Sequence, residues 1–78
     1  MMKELIEYIA RAIVDSPDDV VVREEEDGDT VICYLQVAEP DMGKVIGKQG
    51  RIANAMRALL KVAAARKGIR RAGLEIGE

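Results

Sequence analysis

The sequence predicts an α+β domain, and three observations carry that reading. Apolar residues near the N-terminus recur at three- and four-residue spacing, a β-branched run and an alternating run flank a glycine turn, and a long helical pattern gives way to a final alternating segment. The element order is α-β-β-α-α-β, with the strands expected in one three-stranded sheet packed on one face by helices.

From Lys3 to Val14, residues Leu5, Ile6, Ile9, Ala10 and Ile13 share one side, with Glu4, Glu7 and Arg11 between them, as in an amphipathic helix. Asp15, Ser16 and Pro17 stop it, because proline disfavours a helical conformation in the residue before it. Val20, Val21 and Val22 suit a strand, and the acidic stretch Glu24 to Asp29, containing Gly28, reads as a turn. A second strand is expected from Thr30 to Ala38, where Val31, Cys33, Leu35 and Val37 alternate with Ile32, Tyr34, Gln36 and Ala38. The two strands make a hairpin.

Glu39, Pro40 and Asp41 break the strand, and Asp41 is placed to cap a short helix that turns Met42, Val45 and Ile46 inward and ends by Gly47. A long helix runs from Arg51 to about Lys67, with Ala53, Met56, Leu59, Leu60, Ala63 and Ala64 on its core side and Gly68 as its stop. At about 100° per residue, Arg51, Asn54, Arg57 and Lys61 gather in one polar stripe on the other side. From Arg70 to Ile76 the chain alternates again, grouping Ala72, Leu74 and Ile76 on one strand face.

With 78 residues, 49% hydrophobic and 33% charged, the chain has material for one small core, so residues 1–78 are read as a single domain. No apolar run approaches the ~20 residues that span a bilayer, and the acidic N-terminus is unlike a leader, so a cytoplasmic protein without membrane insertion is expected. Histidine is absent and Cys33 is the only cysteine, which leaves no zinc set and no histidine-assisted nucleophile. No enzymatic activity, cofactor or small-molecule substrate is therefore expected. Cys33 itself reads as a small core residue. Tyr8 and Tyr34 are the only aromatic residues, too few for a surface on which several bases stack.

The net charge of −2 conceals a division. From Met1 to Asp41 three bases stand against twelve acids, a net of −9, and from Met42 to Glu78 nine bases stand against two acids, a net of +7. Two readings follow: a polyanion-binding face in the second half, or two halves that attract each other in the fold or across a dimer.

The segment Met42-Gly43-Lys44-Val45-Ile46-Gly47-Lys48-Gln49-Gly50-Arg51-Ile52 carries the strongest motif. A G-x-x-G turn between two helices lets the backbone approach a partner closely, because neither glycine has a Cβ. The opening amides of the following helix, with its dipole, favour an anion, and Lys48 and Arg51 add charge at the same point. A plain basic connector between helices would have the same sequence. A Walker loop does not fit, since three residues separate Gly43 from Gly47 and Gln49 follows Lys48. A dinucleotide fingerprint fails as well, because Val45 stands where its first glycine belongs.

Val45 to Arg51, set between a short and a long helix, resembles the signature of KH domains, and the element order resembles their type II arrangement. More narrowly, so short a chain with this run is similar to the small bacterial KhpA family. The resemblance implies that a single-stranded RNA is clamped between the loop and the sheet edge. On that pattern Gly47, Lys48, Gln49 and Gly50 meet the sugar-phosphate chain, Ile46 lines an apolar floor, and Lys44, Arg51, Asn54 and Arg57 form a polar margin. It also implies a homodimer, or a heterodimer with a second KH-containing protein of the Jag type, and roles in RNA chaperoning, post-transcriptional regulation and cell shape. The alternative is a KH-shaped adaptor acting mainly through protein contacts. One departure is Ala53, where KH signatures carry a large aliphatic residue, and it leaves Ile52 open as core or groove.

Overall fold

A computed structural model describes residues 2–78. Helix α1 spans Met2–Ile13, strands β1 and β2 span Val21–Asp27 and Thr30–Gln36, helices α2 and α3 span Met42–Ile46 and Arg51–Arg66, and strand β3 spans Arg71–Gly77. The expected α+β class and element order are both present. Single 3-10 turns follow α1 at Pro17–Asp19, precede α2 at Glu39–Asp41 and join α2 to α3 at Lys48–Gly50.

The sheet order is β1-β2-β3. Strands β1 and β2 pair antiparallel with Glu24 opposite Cys33, and β2 and β3 pair parallel with Cys33 opposite Leu74. Side chains alternate across a strand, so Val22, Val31, Cys33, Leu35 and Leu74 fall on the same face, and all are buried. They meet Ile6 and Ala10 of α1, Val45 of α2, and Met56, Leu60 and Ala64 of α3 in one core. Each fully buried aliphatic side chain contributes about 1.5–3 kcal/mol relative to exposure. The opposite sheet face, with Val21, Arg23, Tyr34 and Glu75, carries no helix among the described residues.

Four local expectations need correction. Strand β1 continues through Glu24 to Asp27 and the turn is only Gly28 and Asp29, with Gly28 at φ +64°. Pairing with the apolar strand β2 overrides the weak β preference of glutamate. Glu24 points to the core side yet keeps its carboxylate satisfied, because Oε1 accepts the Lys3 amide in the first turn of α1 at 2.9 Å. Asp41 does not cap α2 through its side chain; it is buried and serves the end of α1 instead.

Ile46 is 37% exposed rather than inward, because α2 has five residues and Val45, one position earlier, takes the core direction. Leu59 is 50% exposed for a similar reason. The core side of α3 is set by Ala53, Met56, Leu60 and Ala64, and Leu59 stands about 100° away from Leu60.

Candidate nucleic-acid interface

The loop between α2 and α3 has a backbone that its sequence makes possible. Gly47 ends α2 with its amide donating to Gly43 O at 2.8 Å, and its φ of 78° and ψ of 172° lie in a region that essentially only glycine occupies. Gln49 and Gly50 follow in left-handed conformations, at φ 58° and 75°. Gln49 is the only non-glycine residue with positive φ among the described residues.

Close packing adds to the dihedral requirement at Gly47. A Cβ there would lie 2.9 Å from both the Cβ and the backbone nitrogen of Ile52, and closer still to Cγ1. Ile52, which sequence reasoning left open, is neither core nor free: it is 38% exposed and supports the underside of the first glycine. Ala53 takes the core position and is buried.

From the loop a line of polar contacts leads to the sheet. The side chain of Asn54 lies beside Gly50, where a Cβ would come 3.8 Å from Nδ2. Asn54 Oδ1 accepts from Arg57 Nη1 at 3.2 Å, and Arg57 Nε and Nη2 both donate to Leu74 O at 3.4 and 3.3 Å. Gly50, Asn54, Arg57 and β3 thus form one strip along α3. At the tip, Lys48, Gln49 and Arg51 are exposed, and Arg51 Nη2 donates to Gln49 Oε1 at 3.4 Å. The Arg51 amide, expected to be open to an anion, bonds back to Lys48 O.

The two charge readings divide between different residues. Lys44 Nζ lies 3.3 Å from Asp15 Oδ2, and Arg70 Nε lies 3.7 Å from Asp29 Oδ2, so two bases of the second half bind acids of the first. Lys44 is thereby drawn to the end of α1. Among the described residues, no carboxylate forms an ion pair with Lys48, Arg51, Arg57 or Lys61. The basic side of α3 faces outward without an acidic partner.

A cavity of about 230 Å³ lies elsewhere, on the bare sheet face, where the Arg23 guanidinium stacks 4.6 Å from the centre of the Tyr34 ring. Its lining includes Glu75 and Glu78, which suit a polyanion poorly. The loop and α3 therefore remain the candidate interface.

The KH-domain model described as KhpA/KhpB matches residues 3–76. The chain belongs to the KhpA/KhpB KH-domain family. It is 56% identical over 63 residues to the "RNA-binding protein KhpA" of Clostridium perfringens, covering 81% of this chain and 84% of that one. The protein of the same name from Halalkalibacterium halodurans is 55% identical over 75 residues, covering 96% and 97%. That of Chlamydia pneumoniae is 46% identical over 77 residues, covering 99% and 97%. No solved structure matches the chain significantly.

Within this KhpA/KhpB domain, the element order and the parallel β2 and β3 correspond to the type II KH arrangement. No described helix is long and apolar enough to cross a membrane. The sequence motif pointed to Gly47 and Gly50, but it carried no signal for the support from Ile52 or for the carbonyl of Leu74.

Proposed function

We propose that this chain is a non-enzymatic RNA-binding module, one KH domain over residues 1–78, that clamps single-stranded RNA against the Gly47–Gly50 loop. The observation that carries the reading is the loop itself. Its two glycines permit a positive-φ backbone that ordinary side chains would disfavour, while among the described residues Lys48 and Arg51 beside them have no carboxylate partner. A phosphodiester chain fits such a surface, since most nucleic-acid hydrogen bonds go to phosphate and sugar. The KhpA relatives' description as RNA-binding proteins supports the same reading.

Ile46 and Ile52, on either side of the loop, are aliphatic and partly exposed, which suits the floor on which bases rest. Gln49 joins Lys48 against the sugar-phosphate chain, and Asn54 and Arg57 form the margin toward β3. Few base contacts give loose sequence preference, in keeping with post-transcriptional regulation in the cytoplasm.

The test is binding of short single-stranded RNAs at several salt concentrations, comparing the parent with Lys48→Asp/Gln49→Asp. This variant keeps both glycines and reverses the charge at the loop. A sharp loss of affinity, a shallower salt dependence and an unchanged circular dichroism melt are expected. Equal binding by the two proteins would make the loop a plain connector.

A second reading, an adaptor acting through protein contacts, rests on the outer side of α3, where Leu59 and Val62 are 50% and 60% exposed. The same side chains favour a homodimer, or a heterodimer with a second KH-containing chain of the Jag type. Light scattering that gives only the monomer mass at high concentration would exclude the homodimer.

A further inference from the structure

Asn54 is exposed on the first turn of α3, yet its amide has a fixed orientation. The atom facing Arg57 Nη1 at 3.2 Å is the acceptor Oδ1, because a guanidinium has donors only, and Nδ2 is therefore turned away from Arg57. Arg57 is itself held from the sheet. Its Nε and Nη2 both donate to Leu74 O at 3.4 and 3.3 Å. This half-buried side chain thus reaches from β3 to Asn54, whereas the exposed Lys61 and Arg66 of the same helix form no side-chain hydrogen bond among the described residues.

The other half of the Asn54 amide lies at the loop. Apart from the adjoining residues, Asn54 has the one described side chain within 4 Å of the place that a Cβ on Gly50 would take, and the atom that borders it is Nδ2, at 3.8 Å. Neither hydrogen of Nδ2 has an acceptor among the described residues. Lys48 and Arg51, without carboxylate partners, stand on either side, and Gly50 precedes the positive end of the α3 dipole. An oriented, unused donor thus faces a point that favours an anion. Arg57 differs, since its donors already hold Leu74 O and Asn54 Oδ1.

We propose, on the reading that the chain binds single-stranded RNA, that Asn54 Nδ2 donates to a phosphate oxygen of the strand passing over Gly50, and that Arg57 is a positioning residue acting through Asn54. The two residues then have separate duties. Asn54 touches the ligand, and Arg57 holds the amide so that little rotamer freedom is lost on binding.

The test uses the full chain and a short single-stranded RNA of mixed sequence, with affinity read by fluorescence anisotropy at several salt concentrations and the fold by circular dichroism. Asn54→Ala is expected to bind about tenfold more weakly, the effect of one hydrogen bond to a charged acceptor. Its salt dependence stays that of the parent, because the lost donor is neutral. Arg57→Lys keeps the charge but cannot reach Leu74 O and Asn54 Oδ1 together, so it is expected to weaken binding several-fold. The Asn54→Ala/Arg57→Lys double variant is expected to bind as Asn54→Ala does, since Arg57 then has no amide to position. In NMR spectra of the parent, the side-chain NH2 signals of Asn54 should move on addition of RNA by more than the Nε–H signal of Arg57. That comparison needs no variant and decides the matter even if Arg57→Lys unfolds. Parent-like affinity in either single variant, fully additive losses in the double variant, or a larger shift at Arg57 than at Asn54 overturns the inference and leaves the RNA reading intact. Absence of RNA binding by the parent overturns both.

Discussion

Asp41 Oδ2 accepts the backbone amide of Ser16 at 3.1 Å, across a separation of 25 residues, and its Oδ1 accepts that of Asp15 at 3.2 Å. The carboxylate is only 2% exposed. It ties the chain leaving α1 to the start of α2, which in turn leads into the Gly47–Gly50 loop. Asp41→Ala would leave two amides without their acceptor, and a loss of about 2–4 kcal/mol is expected from charged hydrogen bonds and partial desolvation. Asp41→Asn keeps one acceptor and should lose less. Urea denaturation of the two variants tests the order, and an Asn variant weaker than the Ala variant would contradict it.

Gly47→Ala is expected to destabilise the domain by about 2 kcal/mol or more, because it combines left-handed strain with overlap against Ile52. Trimming the obstacle should relieve part of this. In a double-mutant cycle with Ile52→Ala, the double variant should lose less than the sum of the two single losses. Full additivity would mean that the packing plays no part. Complete rescue is not expected, since the backbone nitrogen of Ile52 lies 2.9 Å from the added carbon as well.

Leu59 and Leu60 are chemically identical neighbours with opposite surroundings. Leu60 is fully buried, so Leu60→Ala should cost about 2–5 kcal/mol, whereas Leu59→Ala should cost under about 1 kcal/mol. Thermal melts of both variants check the rotation of α3. Similar losses would place the core side of the helix elsewhere.

Burial, helped by the nearby charge of Glu24, pushes the Cys33 thiol up to about 11 from an ordinary value of 9.0. The unfolded chain therefore releases this proton before the folded one does. Stability contributed by the neutral thiol is complete below pH 9 and is lost as pH rises through 11, by up to about 2 kcal/mol. Cys33→Ala removes this slope but not those of other groups. Denaturation across the alkaline range should show the parent falling faster than the variant, and parallel curves would refute the assignment.

Much of the fold was legible because its elements are periodic. α1, α3 and β2 announce themselves through the spacing of Ile6 and Ala10, of Met56 and Leu60, and of Val31, Cys33 and Leu35. Local pattern did not show that Glu24 to Asp27 form a strand, because their order comes from pairing with β2 and, for Glu24, from the Lys3 amide. Asp41 looked like a helix cap because caps are local, while its true partners lie far back along the chain. At the candidate site the glycine spacing was readable, and so was the polar stripe with Asn54 and Arg57. The Leu74 carbonyl was not, since a backbone acceptor leaves no trace in a side-chain pattern.

The conformation of the Gly47–Gly50 loop has an entropic consequence. Two glycines are the most freely moving residues of an unfolded chain, and Gln49 occupies a conformation that side chains disfavour by about 1–2 kcal/mol. Folding bears these costs, through the hydrogen bonds from Gly47 to Gly43 and from Gly50 to Gly47 and through the support of Ile52. A ligand that reaches the loop meets a backbone whose freedom is already spent, so the ordering that usually weakens association has taken place before it arrives.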